Sequence, residues 1–132
     1  MLGCVLRAIG DTLQPEEFLQ ESTLSPCNVF IKGERKSHNY VWETSGITIV
    51  VSEDCGDNLH QQVQDAIEFL RANRKEIIRL RRFAGLQEME LDFGVNRRTG
   101  FLQTNIFPAG LTILVGELDM GIELSIYGEG ED

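Results

Sequence analysis

From Glu88 to Val95 the sequence alternates without a break: Met89, Leu91, Phe93 and Val95 are apolar, while Glu88, Glu90, Asp92 and Gly94 are acidic or lack a side chain. Successive side chains of a strand point to opposite faces, so this pattern demands a strand with one face on a core and the other open. Ile122, Leu124 and Ile126 alternate with Glu123, Ser125 and Tyr127 in the same way. Two such strands restrict the chain to a sheet whose apolar face is covered by amphipathic helices. They also predict an open face carrying Glu88, Glu90, Asp92, Glu123, Ser125 and Tyr127. Val5, Ile9 and Val50 fall on that side as well, which predicts that part of it is covered by a contact.

The remaining segments supply the other strands and the helices. Cys4, Leu6 and Ala8 alternate with Val5, Arg7 and Ile9 in an opening central strand from Leu2 to Ile9, ended by Gly10-Asp11. Pro15 opens a short helix to Glu21, with Gln14 as cap, acidic Glu16 and Glu17 in its first turn, and Leu13 placed to staple onto Phe18. Val29 to Ile31 is extended, and Lys32 to Ser37 is a polar, mobile loop. Tyr40 to Glu43 and Ile47 to Ser52 form a hairpin about Thr44-Ser45-Gly46. Asn58 caps a helix whose Leu59, Val63, Ala66, Ile67 and Leu70 make one stripe. Ile77, Ile78, Leu80 and Phe83 continue an apolar side to Gly85, either as the same helix bent at Asn73 or as a second one. Asn96 to Gly100 turns the chain into a strand from Phe101 to Asn105, a second hairpin. Pro108 then opens a helix bearing Leu111, Leu114, Val115 and Leu118 before the last strand, and Gly128 to Asp132 is a frayed acidic tail. The expectation is one α+β domain over residues 1–132, a two-layer ferredoxin-like sandwich of order β-α-β-β-α-β-β-α-β, with a largely antiparallel sheet and helices on one face.

Composition limits the function. The 132 residues are 42% hydrophobic, yet no apolar run approaches the roughly 18 residues of a membrane span, so a membrane location is not expected. Net charge is −9, which disfavours nucleic acid and anionic lipid as partners. Three cysteines without tight spacing, and a start lacking a basic and then apolar leader, point to the cytoplasm. The charge is uneven. Residues 1–70 hold 4 basic and 11 acidic residues (−7), 71–98 hold 8 and 4 (+4), and 99–132 hold 0 and 6 (−6).

These features together resemble a bacterial family known as domain of unknown function 4279. The resemblance rests on the first strand ending in Ile9-Gly10 with Leu13-x-Pro15-Glu16-Glu17 after it, on Pro26 followed by Lys32-Gly33-Glu34, and on the Trp42 strand. The helix from Leu59 to Leu70 with Leu80, the Phe107-Pro108 helix and the strand Ile122-Glu123-Leu124-Ser125-Ile126-Tyr127 complete it. The family defines no catalytic residues. What the resemblance implies is the same fold and a lean toward toxin immunity, the role suspected for some similar small acidic bacterial proteins.

Chemistry-bearing patterns are sparse. Cys4, Cys27, Cys55, His38 and His60 include no pair at zinc-knuckle spacing, no serine has a G-x-S-x-G setting, and no glycines form a phosphate-binding motif, so neither metal nor cofactor is expected. Glu90, Asp92 and Glu123 lack the setting of a glycosidase pair. Arg71, Arg74, Lys75, Arg79, Arg81 and Arg82 crowd a helix end with only Glu76 opposing them; Arg74, Arg79 and Arg82 are candidates for an anion, against a simpler role as cations favoured by the helix dipole. Trp42 and Tyr40 beside the Lys32–Ser37 loop are candidates for a ligand pocket, against a plain core role for Trp42.

The sequence therefore favours a non-enzymatic protein-interaction module, resembling a toxin-immunity protein, that meets a basic partner through Glu88, Glu90, Asp92, Glu123 and Tyr127. The alternative is a small-molecule binder or modest enzyme with its pocket at Tyr40 and Trp42. A homodimer closed through the sheet face is compatible with either.

Overall fold

A computed structural model describes residues 3–128. The central strand β1 (Gly3–Gly10) leads into α1 (Pro15–Leu19), followed by β2 (Asn28–Phe30), β3 (Arg35–Ser37), β4 (Tyr40–Val41) and β5 (Ser45–Ser52). Two consecutive helices, α2 (Leu59–Ala72) and α3 (Arg74–Arg81), precede β6 (Glu88–Asn96), α4 (Ala109–Glu117) and β7 (Gly121–Tyr127). Five strands form one mixed sheet in the order β2-β5-β1-β6-β7, and β3 and β4 form a separate two-stranded ribbon. All pairings in the main sheet are antiparallel except β6 with β7, which is parallel.

The core lies on one face of this sheet. Cys4, Leu6 and Ala8 of β1 are fully buried with Ile47 and Ile49 of β5 and with Met89, Leu91, Phe93 and Val95 of β6. Against them pack Leu59, Val63, Ala66, Ile67 and Leu70 of α2, Ile77 and Leu80 of α3, and Leu111, Leu114 and Val115 of α4. The Asn58 side chain accepts from the Gln61 N–H and caps α2 as expected. Asn73 separates α2 from α3, and its side chain donates to the Phe69 carbonyl at 2.9 Å, closing the first helix where the second begins. Gln62 is buried with no exposure, its amide donating to the Cys55 and Gly94 carbonyls at 3.1 and 2.9 Å. One polar side chain thus ties α2 to the far end of β6.

Several expectations are corrected. Residues 101–105 do not form a strand, because β7 takes the free edge of β6. The Gln103 side chain accepts from the Arg98 N–H at 2.9 Å and donates to the Asn96 carbonyl at 3.1 Å, satisfying backbone groups that a hairpin would have paired. A parallel pair needs a long crossover, and the 97–120 segment with α4 supplies it. Tyr40–Val41 does not pair with the following strand, since both edges of β5 are taken by β1 and β2; it pairs instead with β3, where a mobile loop was expected. The ferredoxin-like βαββαβ arrangement is not confirmed by this strand order.

Smaller differences follow from local packing. α1 stops at Leu19 rather than Glu21 and Gln14 makes no side-chain cap bond, although Leu13 and Phe18 are both buried as the staple requires. Val51 is an extra residue between the pairs Val5–Val50 and Cys4–Ser52, so a bulge turns Ser52 inward. Its hydroxyl donates to Asp65 of α2 at 2.6 Å. Ile126 lies opposite Val95 on the helix side, but β7 is an edge strand and leaves it 47% exposed. Gly128 lies in no regular element, and the rest of the expected acidic tail falls outside the described residues.

The end of β1 depends on two glycines. A Cβ on Gly10 would overlap the Gly85 carbonyl oxygen, and Gly85 itself has φ +89°, in the left-handed region. Between them the Gln87 N–H donates to the Ile9 carbonyl at 2.9 Å and starts the β1–β6 ladder. Gly10→Ala is therefore expected to cost more than about 2 kcal/mol in urea unfolding, the scale of overpacking and backbone strain. Gly116→Ala, in α4 with open space about it, is expected to gain roughly 0.5 to 1 kcal/mol from helix propensity. Equal effects at the two positions would contradict this packing.

Candidate functional site

The open face of the sheet is built from the alternate residues of β1, β6 and β7. Arg7 stands directly opposite Glu90, Val5 opposite Asp92, and Asp92 opposite Glu123. This register brings one guanidinium among three carboxylates. Arg7 lies 3.3 Å from Asp92, 3.6 Å from Glu90 and 3.8 Å from Glu123. Asp92 is the best buried of them, its side chain 13% exposed, and it also accepts from the Ser125 hydroxyl at 2.7 Å. Glu88 is exposed at the strand end.

Electrostatics within the cluster are unequal. Partial burial, and then the Glu123 carboxylate beside it, hold the Glu90 carboxyl above its usual range against the opposing pull of Arg7. The folded state thus favours the protonated form of Glu90. Stability drawn from this group is full below the ordinary glutamate range and is lost as pH rises through the raised folded value.

Next to the cluster is a shallow notch of about 200 Å3 lined by Gly3, Val5, Arg7, Thr48, Asp92, Gly94 and Tyr127. Gly3 and Gly94, both in its lining, are paired across β1 and β6. Of the residues expected on this face, Glu90, Asp92 and Glu123 are brought together, Tyr127 lines the notch and Glu88 stands apart. Val5, Ile9 and Val50 are half-buried within the single chain. Arg7 is the member of this cluster that the sequence pattern does not single out. Its signal was available as the lone charge on the polar side of β1, but only strand register shows that it faces Glu90.

The basic helix end is largely spent on the fold. Arg79 donates to Glu76 at 2.7 Å and to the Phe18 carbonyl at 2.8 Å, and its guanidinium lies 4.0 Å from the Phe18 ring centroid. Arg74 pairs with Glu117 at 3.3 Å, and Arg81 with Asp119 at 3.0 Å. Arg82 is exposed at the C-terminal end of α3. Trp42 is half-buried rather than in the core, stacked on Phe30 at 4.2 Å with the Lys36 ammonium 4.9 Å from its ring. Tyr40 is 69% exposed beside it, and with Lys36, Val41 and Glu43 the two line an open depression of about 360 Å3.

Both histidines are exposed, as are Cys27 and Cys55. Burial pushes the Cys4 thiol far up, which makes it inert. Among the described residues no group of three histidine, cysteine or carboxylate side chains is placed to hold a metal ion, and no helix is long and apolar enough to cross a membrane. No protein-family model, curated protein or solved structure matches the chain.

Arg7→Met is expected to destabilise the protein by about 1 to 3 kcal/mol at pH 7, because Asp92 loses a charged partner while half-buried. Glu90→Gln is expected to stabilise it at pH 7 by up to about 1 kcal/mol, the scale of an exposed charge pair. That gain should vanish below the ordinary glutamate range. Urea midpoints measured from pH 4 to 8 check both, and a Glu90→Gln gain that grows toward acid would refute the assigned direction.

Proposed function

We propose that this chain is a non-enzymatic interaction module of the cytoplasm that binds a basic protein partner through the open sheet face, in the manner of a toxin-immunity protein. One observation carries the reading: Glu88, Glu90, Asp92 and Glu123 share that face with Arg7 as the facing cation, so an acidic surplus is held on a rigid sheet. Arg7 and the Ser125 hydroxyl orient Asp92, while Glu88 and Glu123 remain exposed for a partner's lysines or arginines. Such a surface accelerates encounter with a basic partner and gives an association that weakens with salt. Kinship with the bacterial family named above, and with ferredoxin-like sandwiches, belongs to the same proposal.

A second reading places a small ligand on Trp42. The observation favouring it is the half-exposed Phe30–Trp42 stack beside exposed Tyr40, a flat aromatic surface with a cation at its rim.

The two readings separate in one set of measurements. Capture from source cells at low salt is expected to yield a stoichiometric basic protein. Its affinity, measured with the purified pair, should fall about tenfold or more between 0.05 and 0.5 M NaCl. Glu90→Lys with Glu123→Lys should abolish binding, and Trp42→Ala should leave it intact. A salt-indifferent partner, or one lost only on Trp42→Ala, would overturn the acidic-face reading; quenching of Trp42 fluorescence by a metabolite would then support the second.

A further inference from the structure

Among the described residues, the last strand leaves one long edge of the main sheet without a neighbouring strand. Among them β7, seven residues long, pairs with β6 alone, so its outer backbone edge has no strand beside it. The direction of its backbone groups follows from a single bond. The Arg97 N–H donates to the Tyr127 carbonyl at 2.8 Å, continuing the parallel ladder in which Asn96 stands opposite Tyr127. Since the N–H and C=O of a strand residue point the same way and alternate along the chain, Glu123, Ser125 and Tyr127 turn theirs toward β6. Ile122, Leu124 and Ile126 therefore turn theirs outward.

Edges of this kind are commonly blocked by lysine, by proline or by brevity. The opposite edge, β2, is three residues long. β7 is seven residues long, contains no lysine, arginine or proline, and exposes 47% of Ile126. We infer that β7 is a dimerisation edge, at which a second copy of this chain adds its own β7 antiparallel about a two-fold axis at Leu124 to make one ten-stranded sheet. The inference stands independently of the basic-partner reading.

The sequence of the strand is self-complementary about that axis. Leu124 meets Leu124 of the second copy, and Ile122 meets Ile126, so apolar side chains oppose apolar side chains on the helix side. Glu123 meets Ser125 on the open face and not the second Glu123, which avoids directly opposed like charges. The outward residues Ile122, Leu124 and Ile126 are those that this register places in hydrogen-bonded pairs, so each outward N–H in the strand finds a carbonyl. A closed two-fold pairing consumes both edges and leaves no template for further growth there. With a net charge of −9 on each copy, association is strengthened by salt. A basic partner on the open face has the opposite salt dependence.

The test is sedimentation equilibrium of the full chain up to 100 µM in 0.15 and 0.5 M NaCl. The expected result is twice the monomer mass, with tighter association at the higher salt. Ile126→Pro removes an outward N–H and no β6–β7 bond, so it should remain folded by circular dichroism while its dimer dissociation constant rises about tenfold or more. Ile126→Lys keeps the backbone intact and should weaken the dimer likewise, which decides the matter if the proline variant misfolds. Val29→Lys on the β2 edge should change nothing. A monomer at 100 µM in both salts overturns the inference, as does a dimer that survives Ile126→Lys or is lost on Val29→Lys.

Discussion

Everything in this molecule is arranged around the burial of β1. Its Cys4, Leu6 and Ala8 side chains have no exposure, and both of its edges are paired, to β5 on one side and β6 on the other. A strand flanked in this way gains apolar burial on one face while its backbone is paired along both edges. The three larger helices then only need to present one stripe each to the same surface. The Gly10–Gly85 approach matters for the same reason, because it sets where β1 ends and where its pairing with β6 begins.

The candidate site is a by-product of that arrangement. A sheet covered on one side must leave its alternate residues on the other, and the antiparallel register of β1 with β6 decides which of them meet. Arg7 is thereby set among Glu90, Asp92 and Glu123 at 3.3 to 3.8 Å. The acidic face is accordingly less negative than its carboxylates alone suggest, and its charge is graded. Asp92 is held by two partners, Glu90 is biased toward its protonated form, and Glu88 stands free of the cluster in the solvent. Rigid backbone beneath and charge at the rim are what the proposed association with a basic partner draws on.

The basic run from Arg71 to Arg82 shows how a sequence feature can mislead. Half of the basic residues fall in that stretch, which looks like an anion site when written in a line. Folded, Arg79 clamps α1 to α3 through Glu76, the Phe18 carbonyl and the Phe18 ring, while Arg74 and Arg81 reach to Glu117 and Asp119 around α4. Their positive charge serves to join three helices. Trp42 misleads in the other direction: a lone tryptophan is ordinarily core, yet here it stacks on Phe30 above the small β3–β4 ribbon.

The residues by themselves determined the elements whose periodicity is local: the alternation of β1, β6 and β7, the stripe and Asn58 cap of α2, and the Pro108 entry to α4. They also determined that one sheet face would be acidic, since side-chain alternation requires only that the strand exist. Tertiary structure alone decided which strands are neighbours. Phe101–Asn105 and Tyr40–Glu43 each had a plausible hairpin partner close in sequence, and each lost it because a strand more distant in sequence, β7 downstream in the first case and β2 upstream in the second, occupied the same edge. An edge accepts one neighbour, and the choice among candidates is made by the apolar area each would bury on the shared core, a quantity that no short window of sequence contains. The same competition placed Arg7 beside its three carboxylates and left β7 at the open end of the sheet.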